Sequence, residues 1–362
     1  MTIRVLCITE DLDRPTTALF VGLRASGIDI RVVCPDNASG RAVLAGAGVP
    51  LLHIPFRRRV DREAIAILRA ELAGNRYDIL HAFSNKALQN GLIATRGLNV
   101  KIVAYRGIVG NVSFWNPISW MRFLNPRIDK IVCVANAVRD YFLQMRPAFL
   151  RMPPDRPVTI YKGHSLDWYK AAPANLADIG LPSDAFAVAC VANYRPRKGI
   201  EYLVEAIALL PESCHAHLLL IGHMDNPGLA KAIERSGARQ RIHVLGFRPD
   251  APSLTAACHV FALPSIKREG LARSLIEAMA YGVAPVVTDC GGSPELVVDG
   301  QCGIVVPVRS AKAVADALQK LHDDPELRAS MGRAARARIA DDFRIENTIA
   351  QTLALYEDLV RK

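Results

Sequence analysis

Two carboxylates, Glu269 and Glu277, stand eight positions apart in EGLARSLIE, which runs on into AMAYGVAPVVTDCGGSPELV. Gly270 and Ala272 are small enough to open a turn. From Arg273 to Tyr281 the chain has good helix formers with Leu275, Ile276 and Met279 at apolar spacing, and Gly282 and Pro285 then stop the helix. Glu269 therefore falls just before a helix and Glu277 inside it. A helix start offers unpaired backbone N–H groups and positive dipole potential, both suited to a phosphate. A carboxylate one or two turns later can accept hydrogen bonds from a vicinal diol such as that of ribose. Together they describe a pocket for a nucleotide-activated sugar. An amphipathic core helix with a solvated glutamate at each end has the same pattern.

The elements that must position this pair lie upstream. Phe186–Val191 is a short apolar run, followed by NYRPRKG (Asn193–Gly199) and a helical pattern from Ile200 to Leu210. Arg195, Arg197 and Lys198 thus cluster at a strand-to-helix turn, where anionic ligands bind in open α/β sheets. Lys198, followed at once by Gly199, is the cation expected to act there; Arg197 fits a solvated basic loop equally well. A second strand, His243–Leu245, ends in GFRPD, and a third, His259–Leu263, ends in Pro264 and Ser265 just before Glu269. All these turns fall at carboxyl ends of strands, on one rim of a sheet.

At this point the sequence resembles the retaining, family-four (group 1) glycosyltransferases. The resemblance is carried by RPRKGIEYLVEAI, HVLGFRPD, ALPSIKREGLARSLIEAMAYGVAPVVTDCGGSPELVVDG, CGIVVP and FRIENTIAQTLALYEDL, and covers about Val158 to Leu359. The first half matches in pattern only, through DILHAFS, DKIVCVANAV and TIYKG. It implies an α/β GT-B fold, two Rossmann-like doubly wound domains facing a central cleft. Residues 1–164 would form the acceptor-side domain and residues 165–342 the nucleotide-sugar domain, with a helix over 343–362 crossing back to the first. The resemblance also implies roles. Glu269 would contact donor-sugar hydroxyls and Glu277 the ribose. Gly270 and Leu271 would line the donor, and the N–H groups of Ala272 and Arg273 would bind its distal phosphate. Lys198 would neutralise the diphosphate, and Gly246, Phe247 and Arg248 would meet the base through backbone atoms. The leaving phosphate would help deprotonate the acceptor, so no Ser-His-Asp set, metal or cofactor is expected beyond the nucleotide-sugar co-substrate.

Several positions depart from the family pattern. Asn193 stands where an arginine is common, so Arg195 or Arg197 must supply any second cation. The first loop, TEDLDRPTTALF, lacks the usual paired glycines, which leaves acceptor contacts open. A histidine commonly follows the fifth strand, but here Tyr105, Arg106 and Gly107 do; either Arg106 replaces it or His81 takes part, unless His81 is a packed strand-end residue. His259 is assigned no function, and His164, after the interdomain turn, reads equally well as structural.

Composition fits this architecture. With 362 residues, 51% hydrophobic and 22% charged, the chain is long enough for two ordinary domains. Apolar runs at Ile3–Ile8, Ile30–Cys34, Leu51–Ile54, Ile79–Ala82, Ile102–Ala104 and Ile131–Val134 alternate with helical or loop segments, as in a doubly wound parallel sheet. Eight scattered cysteines without a Cys-x-x-Cys pair point to reduced, buried thiols and a cytoplasmic compartment. No signal peptide or membrane span is expected.

Charge is uneven. Residues 1–165 carry 23 Lys and Arg against 12 Asp and Glu, whereas residues 166–362 carry 22 against 23. An anionic acceptor or anionic membrane surface is therefore expected at the first half. Arg57, Arg58, Arg59 and Arg62 are the expected contacts at the inner face of the cell membrane, with Phe142 and Phe149 inserted beside them. Solvated helix faces would read the same way. GNVSFWNPISWMRFL (Gly110–Leu124) is either an acceptor platform or interdomain packing. No nucleic-acid motif is present. An oxidoreductase is disfavoured by the lack of G-x-G-x-x-G after the first strand. A nucleotide-sugar-binding peripheral membrane protein with weak turnover is the remaining alternative.

Overall fold

The computed structural model describes residues 2–145 and 150–361. They form two compact units, Met1–Gly163 with Arg344–Lys362, and His164–Phe343. The first contains β1 (Arg4–Ile8), β2 (Asp29–Val33), β3 (Leu51–Leu52), β4 (Ile79–Ala82), β5 (Lys101–Arg106), β6 (Lys130–Cys133) and β7 (Pro157–Thr159). These make one parallel sheet in the order β3-β2-β1-β4-β5-β6-β7. The second contains β8 (Phe186–Val191), β9 (Ala216–Ile221), β10 (Ile242–Gly246), β11 (Val260–Leu263), β12 (Ala284–Thr288) and β13 (Ile304–Val306), also parallel, in the order β10-β9-β8-β11-β12-β13.

Helices on both faces explain why the central strands are apolar along their whole length. Every residue of β4, β11 and β12 is buried, as parallel strands sandwiched between helices must be. Local chemistry starts the helices. The helix Arg14–Ala25 opens with Pro15 and is capped by Asp13, whose side chain accepts from the Thr16 N–H; Ser84 caps Asn85–Ala94 in the same way through the Ala87 N–H.

The helix Ile345–Arg361 belongs to the first unit. Thr348 Oγ1 donates to the Tyr161 carbonyl and accepts from the Gly163 N–H, both at 2.8 Å. Tyr356 is fully buried, with its hydroxyl 2.7 Å from His81 Nδ1. All eight cysteines are buried and unbridged.

Candidate functional site

In each sheet the strand order reverses once, between β1 and β4 in the first and between β8 and β11 in the second. Such switch points leave a crevice beyond the carboxyl ends of the two diverging strands, where open α/β sheets bind ligands. In the second unit the turns after β8 and β11 carry Lys198 and Glu269. The two turns are joined directly, since the Ile266 N–H donates to the Arg197 carbonyl at 2.8 Å. Gly199 makes that approach possible: at its φ of +62° a Cβ would lie 2.3 Å from the Pro264 carbonyl oxygen.

Across this junction Lys198 Nζ lies 2.7 Å from Glu269 Oε2, with side chains only 16% and 12% exposed. Ser265 Oγ donates to the same oxygen at 2.6 Å. The sequence reading did not foresee Ser265; its signal was an i,i+4 spacing to Glu269 at the end of an apolar strand. Behind Glu269, Gly291 packs so closely that a Cβ would lie 2.1 Å from the Glu269 carbonyl oxygen.

The following helix spans Arg273–Ala280, and no side chain caps its start at Ala272. Its first N–H groups are thus left for an outside acceptor. Gly270 and Ala272 are buried, while Leu271 is half-buried. Glu277 sits one turn into the helix at 3.2 Å from Arg273, its side chain mostly covered. The structure therefore brings Lys198, Glu269, the open helix start and Glu277 onto one rim of the second sheet.

The remaining donor-side residues are placed unevenly. Arg195 is exposed, and Arg197 is half-buried with its Nε lacking a hydrogen-bond partner among the described residues. The Gly246 carbonyl accepts from the Gly222 N–H at 2.7 Å. Phe247 projects into solvent and stacks on His223, with ring centroids 5.5 Å apart. Arg248 is held by Asp250 through two contacts of 2.8 and 2.7 Å. Asn193 does not supply a cation; its Oδ1 accepts from the His223 N–H and ties two loops together.

In the first unit Arg106 and His81 are both buried. Arg106 donates to the carbonyls of Ile108 and Gly110, and its guanidinium lies over the Phe123 ring. Burial lowers its pKa to about 10. This guanidinium orders the loop after β5. His81 is held by Tyr356 through Nδ1 while Nε2 has no partner among the described residues, and burial lowers its pKa to about 3, so the ring stays neutral. His259 has a structural job, its Nδ1 accepting from the Ala187 N–H at 3.0 Å, and His164 Nδ1 lies 2.5 Å from the Tyr169 hydroxyl.

Arg57, Arg58, Arg59 and Arg62 are exposed. Phe142, expected to insert beside them, is instead buried: it packs on Phe123 and shares its helix face with buried Val138. Phe149 and Arg146 lie outside the described residues. Exposed apolar side chains of the first unit include four in Gly110–Leu124, where Trp115 is 75% exposed and Ile118, Trp120 and Met121 also face solvent, besides Val43, Val60, Ile67 and Leu143 elsewhere.

Comparison with known proteins gives this geometry a family. Residues 173–338 match the family described as Glycosyl transferases group 1, and residues 14–163 match the Glycosyl transferase 4-like domain. The chain is 26% identical to the lipopolysaccharide core biosynthesis mannosyltransferase LpsB of Rhizobium meliloti, over 93% of this chain and 95% of that one. It is also 26% identical to the UDP-Gal:alpha-D-GlcNAc-diphosphoundecaprenol alpha-1,3-galactosyltransferase of Escherichia coli, over 99% and 96%. With the alpha-maltose-1-phosphate synthase of Mycolicibacterium smegmatis the identity is 30%, over 63% of this chain and 62% of that relative. In fold it is similar to Anabaena HepE, solved in complex with UDP, with a TM-score of 0.79, 21% identity and coverage of 99% and 100%. The chain is a GT-B enzyme belonging to the group 1 glycosyltransferases.

Proposed function

We propose that this enzyme moves a sugar from a nucleoside-diphosphate sugar to a hydroxyl of a lipid-linked or cell-envelope glycan, with retention of anomeric configuration. The observation that carries the reading is the Lys198–Glu269 pair at the switch point, beside an uncapped helix start. In this reading the diphosphate sits against the helix start and takes the Lys198 ammonium, Glu269 orients the sugar, and Glu277 receives the ribose hydroxyls. The bond from the anomeric carbon to the diphosphate breaks, a bond to the acceptor oxygen forms on the same face, and the acceptor proton passes to the leaving phosphate. Positioned charges and dipoles stabilise the departing diphosphate, and no protein nucleophile is required. Relatives named for mannosyl and galactosyl transfer, one of them onto a diphosphoundecaprenol-linked sugar, support the substrate class. Arg106 and His81 are assigned structural roles.

A thermal-shift screen against UDP, GDP and ADP, followed by turnover of labelled sugars of the stabilising nucleotide, tests this reading, because a ligand bound to the native state raises its stability. Glu277→Gln should weaken binding of that nucleotide by roughly ten- to hundredfold, the loss of a charge-assisted hydrogen bond of about 1.5–3 kcal/mol. Stabilisation by none of the three nucleotides would count against the donor site.

The membrane part of the reading rests on the first unit. The Asn90 side chain donates to the Arg59 carbonyl at 3.2 Å and accepts from the Asp61 N–H, while Arg122 Nε donates to the neighbouring Gln89 at 3.0 Å. The Arg57–Arg59 loop and Arg122, which follows the Trp115–Met121 segment, are thus fastened to adjacent residues of one helix, and the arginines of the first and the apolar side chains of the second are exposed. Arginine at the lipid surface contributes about 1 kcal/mol per residue, and tryptophan favours the interfacial layer. No helix among the described residues is long and apolar enough to cross a membrane. Wild type should co-sediment with vesicles containing anionic lipid at low salt and be released at high salt, as screening shortens the Debye length from about 10 Å at 0.1 M to 3 Å at 1 M. A variant with Gln at Arg57, Arg58, Arg59 and Arg62 should stay in the supernatant. Equal sedimentation of both proteins would remove the arginines from the surface.

A further inference from the structure

We infer that Ser265 is a positioning residue for Glu269, an inference that rests on the donor-site reading above. Ser265 follows β11, is fully buried, and has Glu269 as acceptor for its hydroxyl. Two donors, Ser265 Oγ and Lys198 Nζ, converge on Oε2 of that carboxylate, and no described residue donates to Oε1. Two hydrogen bonds to one oxygen set the carboxylate's plane and leave the other oxygen for an incoming hydroxyl.

The two donors differ in what happens when substrate arrives. A diphosphate beside Lys198 competes with Glu269 for the ammonium, and the competition sharpens as negative charge grows on the leaving group. Ser265 carries no charge and is fastened from three sides: its carbonyl accepts from Thr288 Oγ1 on β12, the next N–H donates to Arg197, and its hydroxyl is held by Glu269 itself. Ser265 therefore keeps Glu269 oriented in the step in which Lys198 turns to the phosphate. Loose orientation of a reacting-site group costs rate even where binding survives.

The test is a double-mutant cycle of Ser265→Ala, Glu269→Gln and the double variant, with the nucleotide sugar that the screen selects, UDP-glucose first. Ser265→Ala should lower kcat about ten- to hundredfold, as expected for a hydrogen bond to a charged group, with little change in donor KM or melting temperature. In the Glu269→Gln background the same change should cost less than about threefold, because residues acting through one another are not additive. Ser265→Thr, which keeps the hydroxyl, should recover most of the rate. Full multiplicative losses in the double variant, or a wild-type rate for Ser265→Ala where Glu269→Gln is crippled, would overturn the inference alone. Wild-type activity of Glu269→Gln would instead overturn the donor-site reading.

Discussion

Lys198→Ala is expected to lower kcat by about 10²–10³ at saturating donor, the range seen when one preorganised charge-stabilising donor is removed from a transition state. Donor KM should change far less. The ammonium is nearly covered and already oriented, with its Nζ 2.7 Å from Glu269 Oε2 and the adjoining turn locked by Gly199. Its reorganisation is then confined to a turn of the ammonium from that oxygen toward the diphosphate. Negative charge on the diphosphate increases as the glycosidic bond stretches, so an adjacent cation gains more in the transition state than in the bound donor. Removing it also leaves Glu269 with Ser265 as its remaining hydrogen-bond donor among the described residues. Steady-state kinetics decide the matter: a rise in donor KM at constant kcat would place Lys198 in ground-state binding only.

Gly291→Ala should cost both stability and turnover. At a φ of +56° a side chain is disfavoured, and the new Cβ would lie 2.1 Å from the Glu269 carbonyl oxygen, a backbone atom that cannot swing aside. Strain of about 1–2 kcal/mol and overpacking of about 1–3 kcal/mol together give a loss of roughly 2–5 kcal/mol and a melting temperature lower by on the order of 10 °C. Gly300→Ala is the control, since Gly300 has a similar φ of +74° with nothing within 4 Å of the added atom. The control should lose only the strain part and retain its activity. Equal melting temperatures for the two variants would show that Gly291 is not a contact that holds Glu269.

What the sequence reveals depends on how local the cause is. The run Phe186–Val191 is a strand over its whole read length because six apolar residues in a row suit a strand buried on both faces. The stretch Leu51–Ile54 shortens to Leu51–Leu52, since it is an edge strand and Pro55 follows closely. The Arg273–Ala280 helix, with Glu269 ahead of it and Glu277 within, was legible from spacing and its glycine stop. Burial of Phe142 was not. Its alternation with basic residues suggests an exposed face, but Val138 four residues earlier shares its side of the helix and both turn inward. The placement of His81 was equally hidden, because its partner Tyr356 lies 275 residues away in sequence. Arg106 reads in the sequence as a stand-in for the family histidine, and only the loop that folds around it shows where its donors go.

The helix Ile345–Arg361 has a consequence for the order in which this protein is made. The second unit is a contiguous insertion of about 180 residues, closed at its base where the His164 N–H meets the Phe343 carbonyl at 2.7 Å. A ribosome delivers that insertion before the helix that completes the first unit. Until then Tyr356 is missing from beside His81 and Cys7, and Ile349 from the groove at Gly22. The nascent first unit thus holds an open apolar seam while its neighbour folds, and the folding of the insertion brings together the two chain ends that let the seam close.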